Sequence, residues 1–133
     1  MNRVKISGFN IKSSNKIFIS GSKSESNRVL ILKSLFSSDL TINNLSTSDD
    51  TKFLLEALAS NEKIININHA GTAMRFLASL FAVANKKDII LTGSNRMKER
   101  PIGELVESLK SLGANITYEE KFGYPPLRFN GFT

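Results

Sequence analysis

Three short segments of the chain place cationic side chains beside the predicted start of a helix. They are residues 21–28 (Gly-Ser-Lys-Ser-Glu-Ser-Asn-Arg), 70–75 (Ala-Gly-Thr-Ala-Met-Arg) and 96–101 (Arg-Met-Lys-Glu-Arg-Pro). The first four backbone N–H groups of a helix have no partners within it, and the helix dipole makes that end positive. Small residues let an anion approach these groups, and a nearby Lys or Arg adds a full charge. Three such segments predict a site that holds more than one anionic group.

The first segment offers Lys23, Ser24 and Arg28 around a single phosphate. Ser24 is the predicted N-cap of a helix, and Arg28, four residues later, shares its face one turn away. From spacing alone, the alternative is a capping serine with two solvated cations. Nucleoside triphosphate chemistry is disfavoured, because only Gly21 is available where the phosphate-binding loop needs two glycines ahead of its lysine.

The second segment exposes amides and a hydroxyl at the start of a predicted buried helix. Gly71 and Thr72 supply these groups, and Arg75 follows on or near the face of Thr72. Two structural alternatives remain open. The glycine can simply allow close packing, and Arg75 can pair with Asp49 or Asp50.

In the third segment Arg100 is the candidate ligand. It stands before a proline at a predicted helix start, where a cation is unfavourable unless something negative compensates it. Arg96 and Lys98 are interpreted as solvated or paired with Glu99. His69, the single histidine, has two candidate roles: proton donor, or structural hydrogen-bonding residue.

Composition places the chain among soluble proteins with anionic partners. It has 133 residues, 41% hydrophobic content, no cysteine and a net charge of +6. The missing cysteines exclude disulfides and thiolate chemistry, and no apolar run approaches the ~20 residues that span a bilayer. The opening residues lack the pattern of a secretory signal. We therefore expect a cytoplasmic, single-domain protein without membrane association.

Strand-like and helix-like segments alternate along the chain, which predicts the α/β class. The predicted strands are residues 3–7, 16–20, 39–43, 63–68, 88–92, 115–118 and 127–130. The predicted helices are residues 24–36, 48–60, 71–84 and 101–112. The first helix is expected to turn Val29, Leu32 and Phe36 inward, and the third to be almost wholly buried.

Five segments, taken in order, resemble the N-terminal part of the 5-enolpyruvylshikimate-3-phosphate synthase family of enolpyruvyl transferases. They are residues 20–28, 48–50, 70–75, 91–103 and 124–128. The resemblance implies an α/β fold of repeated βαβαββ units, forming part of one lobe of a two-lobed enzyme. It further implies that residues 1–133 are a single partial domain. This domain would comprise an N-terminal strand segment (1–20) and about two such units (21–133), with the C-terminal remainder absent.

The implied reaction moves the enolpyruvyl group of phosphoenolpyruvate to the 5-hydroxyl of shikimate 3-phosphate, in the pathway to aromatic amino acids. By resemblance, Lys23 and Arg100 contact phosphoenolpyruvate, Gly71 lies against it, and Ser24 and Arg28 bind shikimate 3-phosphate. The full set of expected substrate-binding residues is Lys23, Ser24, Arg28, Gly71, Thr72 and Arg100. No metal or organic cofactor is implied. The catalytic acid and base are expected in the absent C-terminal part, so this chain alone is expected to be inactive.

The chain departs from the family pattern at His69, where asparagine is common, and at Phe76, where proline is common. Two other interpretations compete with a transferase fragment. One is a free-standing, non-catalytic anion-binding module. The other is a nucleic-acid-binding domain, which only the net charge favours; without a basic stripe or stacking aromatics we expect no nucleic-acid partner. Exposed apolar surface on a truncated chain also predicts some self-association.

Overall fold

The computed structural model describes residues 16–36, 39–84 and 87–132, together with Lys5 and Gly8. Helices and strands alternate along most of this part of the chain. The helices are α1 (Lys23–Phe36), α2 (Asp49–Ala59), α3 (Gly71–Val83), α4 (Asn95–Lys98) and α5 (Gly103–Ser111). The strands are β1 (Ile64–Asn66), β2 (Lys87–Thr92), β3 (Ala114–Tyr118) and β4 (Leu127–Phe132). Among the described helices, none has the length and apolar character needed to cross a membrane.

The four strands form one mixed sheet in the order β1-β2-β4-β3. The β1 and β2 strands are parallel, with Ile65 opposite Leu91, whereas β4 is antiparallel to both β2 and β3. Parallel neighbours need a crossover connection, and α3 supplies it. Apart from the short α4, the elements from β1 to β4 follow the order βαβαββ. The predicted α/β class is confirmed.

Helix α3 is the centre of the hydrophobic core, and it packs against the sheet as well as α1, α2 and α5. Seven of its residues are buried, including Met74 and Leu77. Burying a large apolar side chain contributes about 1.5–3 kcal/mol, so this helix is a major source of stability. The prediction of near-complete burial is wrong at its C-terminal end, where Val83 is 63% exposed.

Several predicted boundaries are confirmed. Ser48 caps α2, because its Oγ accepts a hydrogen bond of 3.4 Å from the Thr51 N–H. Helix α3 begins at Gly71. The four strands predicted after the second helix start and end within two residues of the observed ends of β1, β2, β3 and β4. Gly113 follows α5 with a φ of 99°, the left-handed conformation that favours glycine after a helix.

Other sequence predictions are wrong. Residues 16–20 and 39–43 contain no strand, and Phe18 is 91% exposed. The predicted strand at residues 3–7 lies, apart from Lys5, outside the described residues. Helix α5 begins at Gly103 rather than around Pro101, and α4 was not predicted.

The inward face of α1 also differs from the prediction. Its buried residues are Ser26, Asn27 and Leu30, while Leu32 and Phe36 are exposed. Apolar residues occur on more than one side of this helix, so their spacing did not identify the buried face. Ser26 Oγ and Asn27 Oδ1 accept hydrogen bonds from the 46–51 segment, which offsets part of the cost of burying this polar pair. The Asn27 side-chain N–H₂ group is buried without a partner among the described residues.

The parallel strands β1 and β2 bring two loops together at their shared carboxyl edge. The Ser94 N–H donates a hydrogen bond of 2.9 Å to the Asn68 carbonyl, which links the loop after β1 to the loop after β2. Gly93 permits this approach, since an added Cβ would stand 2.5 Å from the same carbonyl oxygen. These loops lead into α3 and α4, so the sheet brings Gly71 near Arg100 although 29 positions separate them.

Candidate anion-binding site

The N-terminus of α1 is formed by Ser22, Lys23 and Ser24. Ser22, rather than the predicted Ser24, acts as the cap, because its Oγ accepts a hydrogen bond of 3.4 Å from the Glu25 N–H. Ser24 is exposed in the first turn. Arg28 shares its face as predicted, with Nη1 donating a hydrogen bond of 3.2 Å to the Ser24 carbonyl.

Two buried polar residues hold α1 in position. The Ser46 N–H donates a hydrogen bond of 2.9 Å to Ser26 Oγ, and Thr51 Oγ1 donates one of 2.9 Å to Asn27 Oδ1. These bonds connect α1 to the start of α2. Gly21 adds a further constraint, since a Cβ there would overlap the Asn44 carbonyl oxygen. Lys23 is therefore presented from a fixed helix end.

Arg75 links the start of α3 to the segment after α4. Its guanidinium donates hydrogen bonds of 3.3 Å to the Gly71 carbonyl and 3.1 Å to the Pro101 carbonyl. The interpretation that Arg75 pairs with Asp49 or Asp50 is wrong, because those carboxylates pair with lysines. Arg75 is thus a positioning residue that fixes the distance between two parts of the site.

Arg100 lies directly over Gly71. A Cβ on Gly71 would stand 2.5 Å from Arg100 Nη1 and 3.2 Å from its Cζ. Glycine is needed here because a side chain would occupy the space of the guanidinium. Within the described residues, Arg100 forms no ion pair with a carboxylate, unlike Lys98, which pairs with Glu120 at 2.6 Å. The interpretation that Lys98 is solvated or paired with Glu99 is therefore wrong.

Two adjoining cavities meet at His69 and Arg100. The first has a volume of about 390 Å³ and is lined by Lys23, Asp50, His69, Gly71, Thr72, Arg75, Phe76 and Arg100. The second has a volume of about 530 Å³ and is lined by His69, Arg96, Met97, Glu99 and Arg100. Four of the six predicted site residues meet in the first cavity. Ser24 and Arg28 line neither of them.

The first cavity is rich in positive charge. Lys23, Arg75 and Arg100 line it, and the one carboxylate in its lining is Asp50, 3.5 Å from Lys23 Nζ. Like charges held together repel, and this repulsion is stronger beside a protein surface than in bulk water. An anion bound among them relieves that repulsion, and the free N–H groups at the start of α3 add hydrogen-bond donors. The cavity is suited to a small anion such as a phosphate or carboxylate.

Resolved pKa shifts among the described groups occur on the sheet, away from these cavities. A hydrogen bond from the Lys63 ammonium lowers the pKa of Asp88, and one from Arg128 lowers the pKa of Glu119. Burial raises the pKa of Tyr118 to about 12. Asp88 and Glu119 both bind Arg128, so this network ties β2, β3 and β4 together and contributes to the scaffold. No cluster of three or more metal-ligating side chains occurs within residues 16–36, 39–84 and 87–132.

The protein-family model that describes EPSP synthase (3-phosphoshikimate 1-carboxyvinyltransferase) matches residues 11–60 and 56–133. The chain belongs to the EPSP synthase family. The match extends over the starts of α1 and α3 and over the Arg100 segment, so the family assignment and the geometry of the candidate site concern the same residues.

Family members from several bacteria are similar to this chain. It is 44% identical over 115 residues to a 3-phosphoshikimate 1-carboxyvinyltransferase of Bacteroides fragilis, covering 86% of the chain and 28% of the relative. It is 42% identical over 142 residues to one of Buchnera aphidicola subsp. Cinara cedri, and the alignment covers 87% of this chain and 32% of the relative. It is 40% identical over 141 residues to a 3-phosphoshikimate 1-carboxyvinyltransferase of Salmonella heidelberg, and the alignment covers 86% of this chain and 33% of the relative. The chain thus spans about a third of the length of these relatives.

A solved EPSP synthase from Acinetobacter baumannii has the same fold over this region. The TM-score is 0.72 at 20% sequence identity, and the alignment covers 88% of this chain and 32% of that one. At this identity the likeness concerns the fold alone. It agrees with the mixed four-stranded sheet and the helices packed on it.

Three lining residues were missed or left without a site role by sequence reasoning. Asp50 was considered as a possible partner of Arg75 and as part of the matching segment 48–50, but it was given no role in the site. Phe76 was noted only as a departure from the family pattern, and His69 was left with two alternatives. For Asp50 a signal existed, because a carboxylate near several predicted anion ligands balances their charge. For Phe76 the sequence offers no signal beyond its position five residues after Gly71.

Proposed function

We propose that this chain forms the phosphoenolpyruvate-binding side of an enolpyruvyl transferase active site. The reaction transfers the enolpyruvyl group of phosphoenolpyruvate to the 5-hydroxyl of shikimate 3-phosphate and releases phosphate. One observation carries the proposal: Lys23, the start of α3 at Gly71, and Arg100 surround a single cavity in a chain of the EPSP synthase family. The names of its relatives describe the same transfer.

Each residue has a role that its position supports. Arg100 and Lys23 bind the carboxylate and phosphate groups of phosphoenolpyruvate, and the amides of Gly71 and Thr72 donate hydrogen bonds to the same substrate. Ser24 and Arg28, on the outer face of α1, bind the phosphate of shikimate 3-phosphate. Because Lys23 sits beside Ser24, α1 presents ligands for both substrates.

The main physical task of these residues is to hold two polyanions together. Substrates with several negative charges repel each other, and fixed cations offset that repulsion while they align the reacting atoms. Addition of the hydroxyl across the enolpyruvyl double bond then needs a proton donor and a proton acceptor. We assign neither role to a residue of this chain, and we propose that turnover needs the further length that its relatives possess.

We also propose a domain organisation consistent with this role. The elements from β1 to β4 form one βαβαββ unit, and α1 and α2 belong to a second unit of the same type. Both units are part of one lobe, and the site lies where α1 meets the carboxyl edge of the parallel strands.

A phosphate-release assay tests the proposed function. Phosphoenolpyruvate and shikimate 3-phosphate are supplied to the chain alone, and to the chain mixed with the remaining two-thirds of the Bacteroides fragilis relative. Turnover on mixing, lost with Arg100→Ala in this chain, is the expected result. Calorimetry should also detect phosphoenolpyruvate binding to the chain alone. If both substrates bind but the associated mixture gives no turnover, the chain is a non-catalytic anion-binding module and the proposed transferase role is wrong.

A further inference from the structure

A carboxylate lines the first cavity, although the cavity is suited to anions. It belongs to Asp50, in the first turn of α2, and its side chain is 19% exposed. A negative charge beside an anion repels it and weakens its binding. Complementing the helix dipole does not require this placement, because Asp49 is in the same turn and its side chain is 62% exposed. Asp50 therefore needs another reason to face the cavity.

The position of Asp50 is fixed by the contact between α1 and α2. Thr51, the next residue, donates a hydrogen bond of 2.9 Å from Oγ1 to Asn27 Oδ1 of α1. Thr51 and Asn27 are both fully buried. The Ser48 cap fixes the start of α2 on the other side of Asp50. The carboxylate is thus carried by a short side chain on a backbone that is anchored to the helix of Lys23.

Lys23 differs from Asp50 because only its backbone is fixed. Its ammonium is carried by a flexible four-carbon stem, and its side chain is 49% exposed. Within the described residues its one ion pair is with Asp50, at 3.5 Å between Nζ and Oδ1. This distance exceeds the ~2.7–2.9 Å of a charge-assisted hydrogen bond. Asp50 therefore attracts the ammonium toward the cavity, while the N–H groups of Lys23 stay available to an anion.

We propose that Asp50 is a positioning residue, which orients the Lys23 ammonium in the cavity before the anion binds. The inference rests on the proposed anion site and concerns how one of its ligands is held. Ordering a long side chain in advance should tighten anion binding about two- to tenfold, because that entropy is not lost on binding. The charge of Asp50 opposes this gain by direct repulsion. The two effects have opposite signs, and only the first one needs Lys23.

A double-mutant cycle separates the two effects. Sulfate is a suitable probe, because it is a small dianion, and nuclear magnetic resonance shifts of the Gly71 and Thr72 amide signals give its affinity at constant ionic strength. Asp50→Asn is compared in the unaltered chain and in Lys23→Met, which keeps an apolar stem without the charge. In Lys23→Met, we expect Asp50→Asn to tighten binding, since only repulsion is removed. With Lys23 present, the effect of Asp50→Asn should be about two- to tenfold less favourable.

Asp49→Asn is the matched control. It removes a carboxylate from the same turn of α2, but Asp49 pairs with Lys52, at 3.6 Å, and does not line the cavity. We expect its effect on sulfate affinity to be the same with and without Lys23. If Asp50→Asn also changes the affinity by one factor in both backgrounds, or is more favourable when Lys23 is present, the positioning role is refuted while the anion site stands. If sulfate shifts neither amide signal in the unaltered chain, the anion site is wrong and the proposed function fails with it.

Discussion

Replacing Gly71 with alanine should weaken anion binding while leaving the fold intact. The new Cβ would stand 2.5 Å from Arg100 Nη1, and ordinary contact begins at 3.4 Å. The guanidinium must therefore withdraw by about 0.9 Å from a position over the start of α3. This displacement acts on the group proposed to bind the anion directly, and a misplacement on the order of 1 Å is enough to matter in an active site.

The cost to stability should be small because the displaced group is the end of a flexible, exposed side chain. Gly71 is also absent from the described glycines with positive φ, so alanine fits its backbone without strain. Alanine at such a position stabilises a protein by about 0.4–1 kcal/mol through the unfolded chain. We expect the free energy of unfolding to stay constant or to rise slightly.

The effect on binding should be much larger. Losing one hydrogen bond to a charged group costs about 1.5–3 kcal/mol, which is about a 10- to 150-fold loss of affinity. Calorimetry with phosphoenolpyruvate measures this loss, and urea unfolding measures stability in parallel. Gly8→Ala is the matched control, since a Cβ at Gly8 would meet nothing within 4 Å.

Two results would refute this reasoning. Unchanged affinity in Gly71→Ala would mean that the guanidinium of Arg100 does not bind the anion from its position over α3. A loss of more than about 2 kcal/mol in the free energy of unfolding would mean that the contact is structural and not easily displaced, because losses of that size come from disrupted packing or networks.

Three further predictions concern the scaffold and the occupied site. Thr51→Val should lower the free energy of unfolding by about 1–3 kcal/mol in urea denaturation, because it leaves the buried side-chain oxygen Oδ1 of Asn27 without its hydrogen-bond donor. Lys63→Met should reduce stability near neutral pH but not in acid. A hydrogen bond from Lys63 lowers the pKa of Asp88 in the folded protein. The bond therefore stabilises the fold at pH values above the pKa of Asp88 in the unfolded chain, and this stabilisation is lost as the pH falls through the pKa in the folded protein. The free energies of unfolding of Lys63→Met and of the unaltered chain should converge in acid. Sulfate at about 100 times its dissociation constant should add about 2.7 kcal/mol of stability, raising the Tm by about 6–12 °C in calorimetry; an equal shift with chloride at the same ionic strength would contradict specific binding.

Local sequence signals were sufficient for most of the elements that position the site. Gly71 at the start of α3 and Ser48 as the cap of α2 follow from residue type and from the pattern of neighbouring apolar positions. The strands β1 and β2 likewise follow from short β-branched runs. Arg100 stood out because a cation at a predicted helix start needs a negative partner, and it has no acidic partner among the described residues.

Features that depend on distant partners could not be predicted in this way. The inward face of α1 is decided by the bond between Asn27 and Thr51, 24 positions apart, while Leu32 looks equally suited to burial. Lys98 forms its ion pair with Glu120 rather than with its sequence neighbour Glu99, because the turn after β3 lies close to α4. Each case needs the folded arrangement of two segments, which local spacing does not contain.

The two arginines beside the start of α3 have different roles in the proposed site, which depends on both. Arg75 uses its guanidinium on the carbonyls of Gly71 and Pro101, which holds the Arg100 segment beside the helix. Arg100 is thereby kept over Gly71 without an acidic partner among the described residues. In the proposed site, the bound anion is the partner of this cation, and the guanidinium is already in position before the anion arrives. This pre-organisation explains why Gly71 must lack a side chain and why Arg75 stands one helical turn after it.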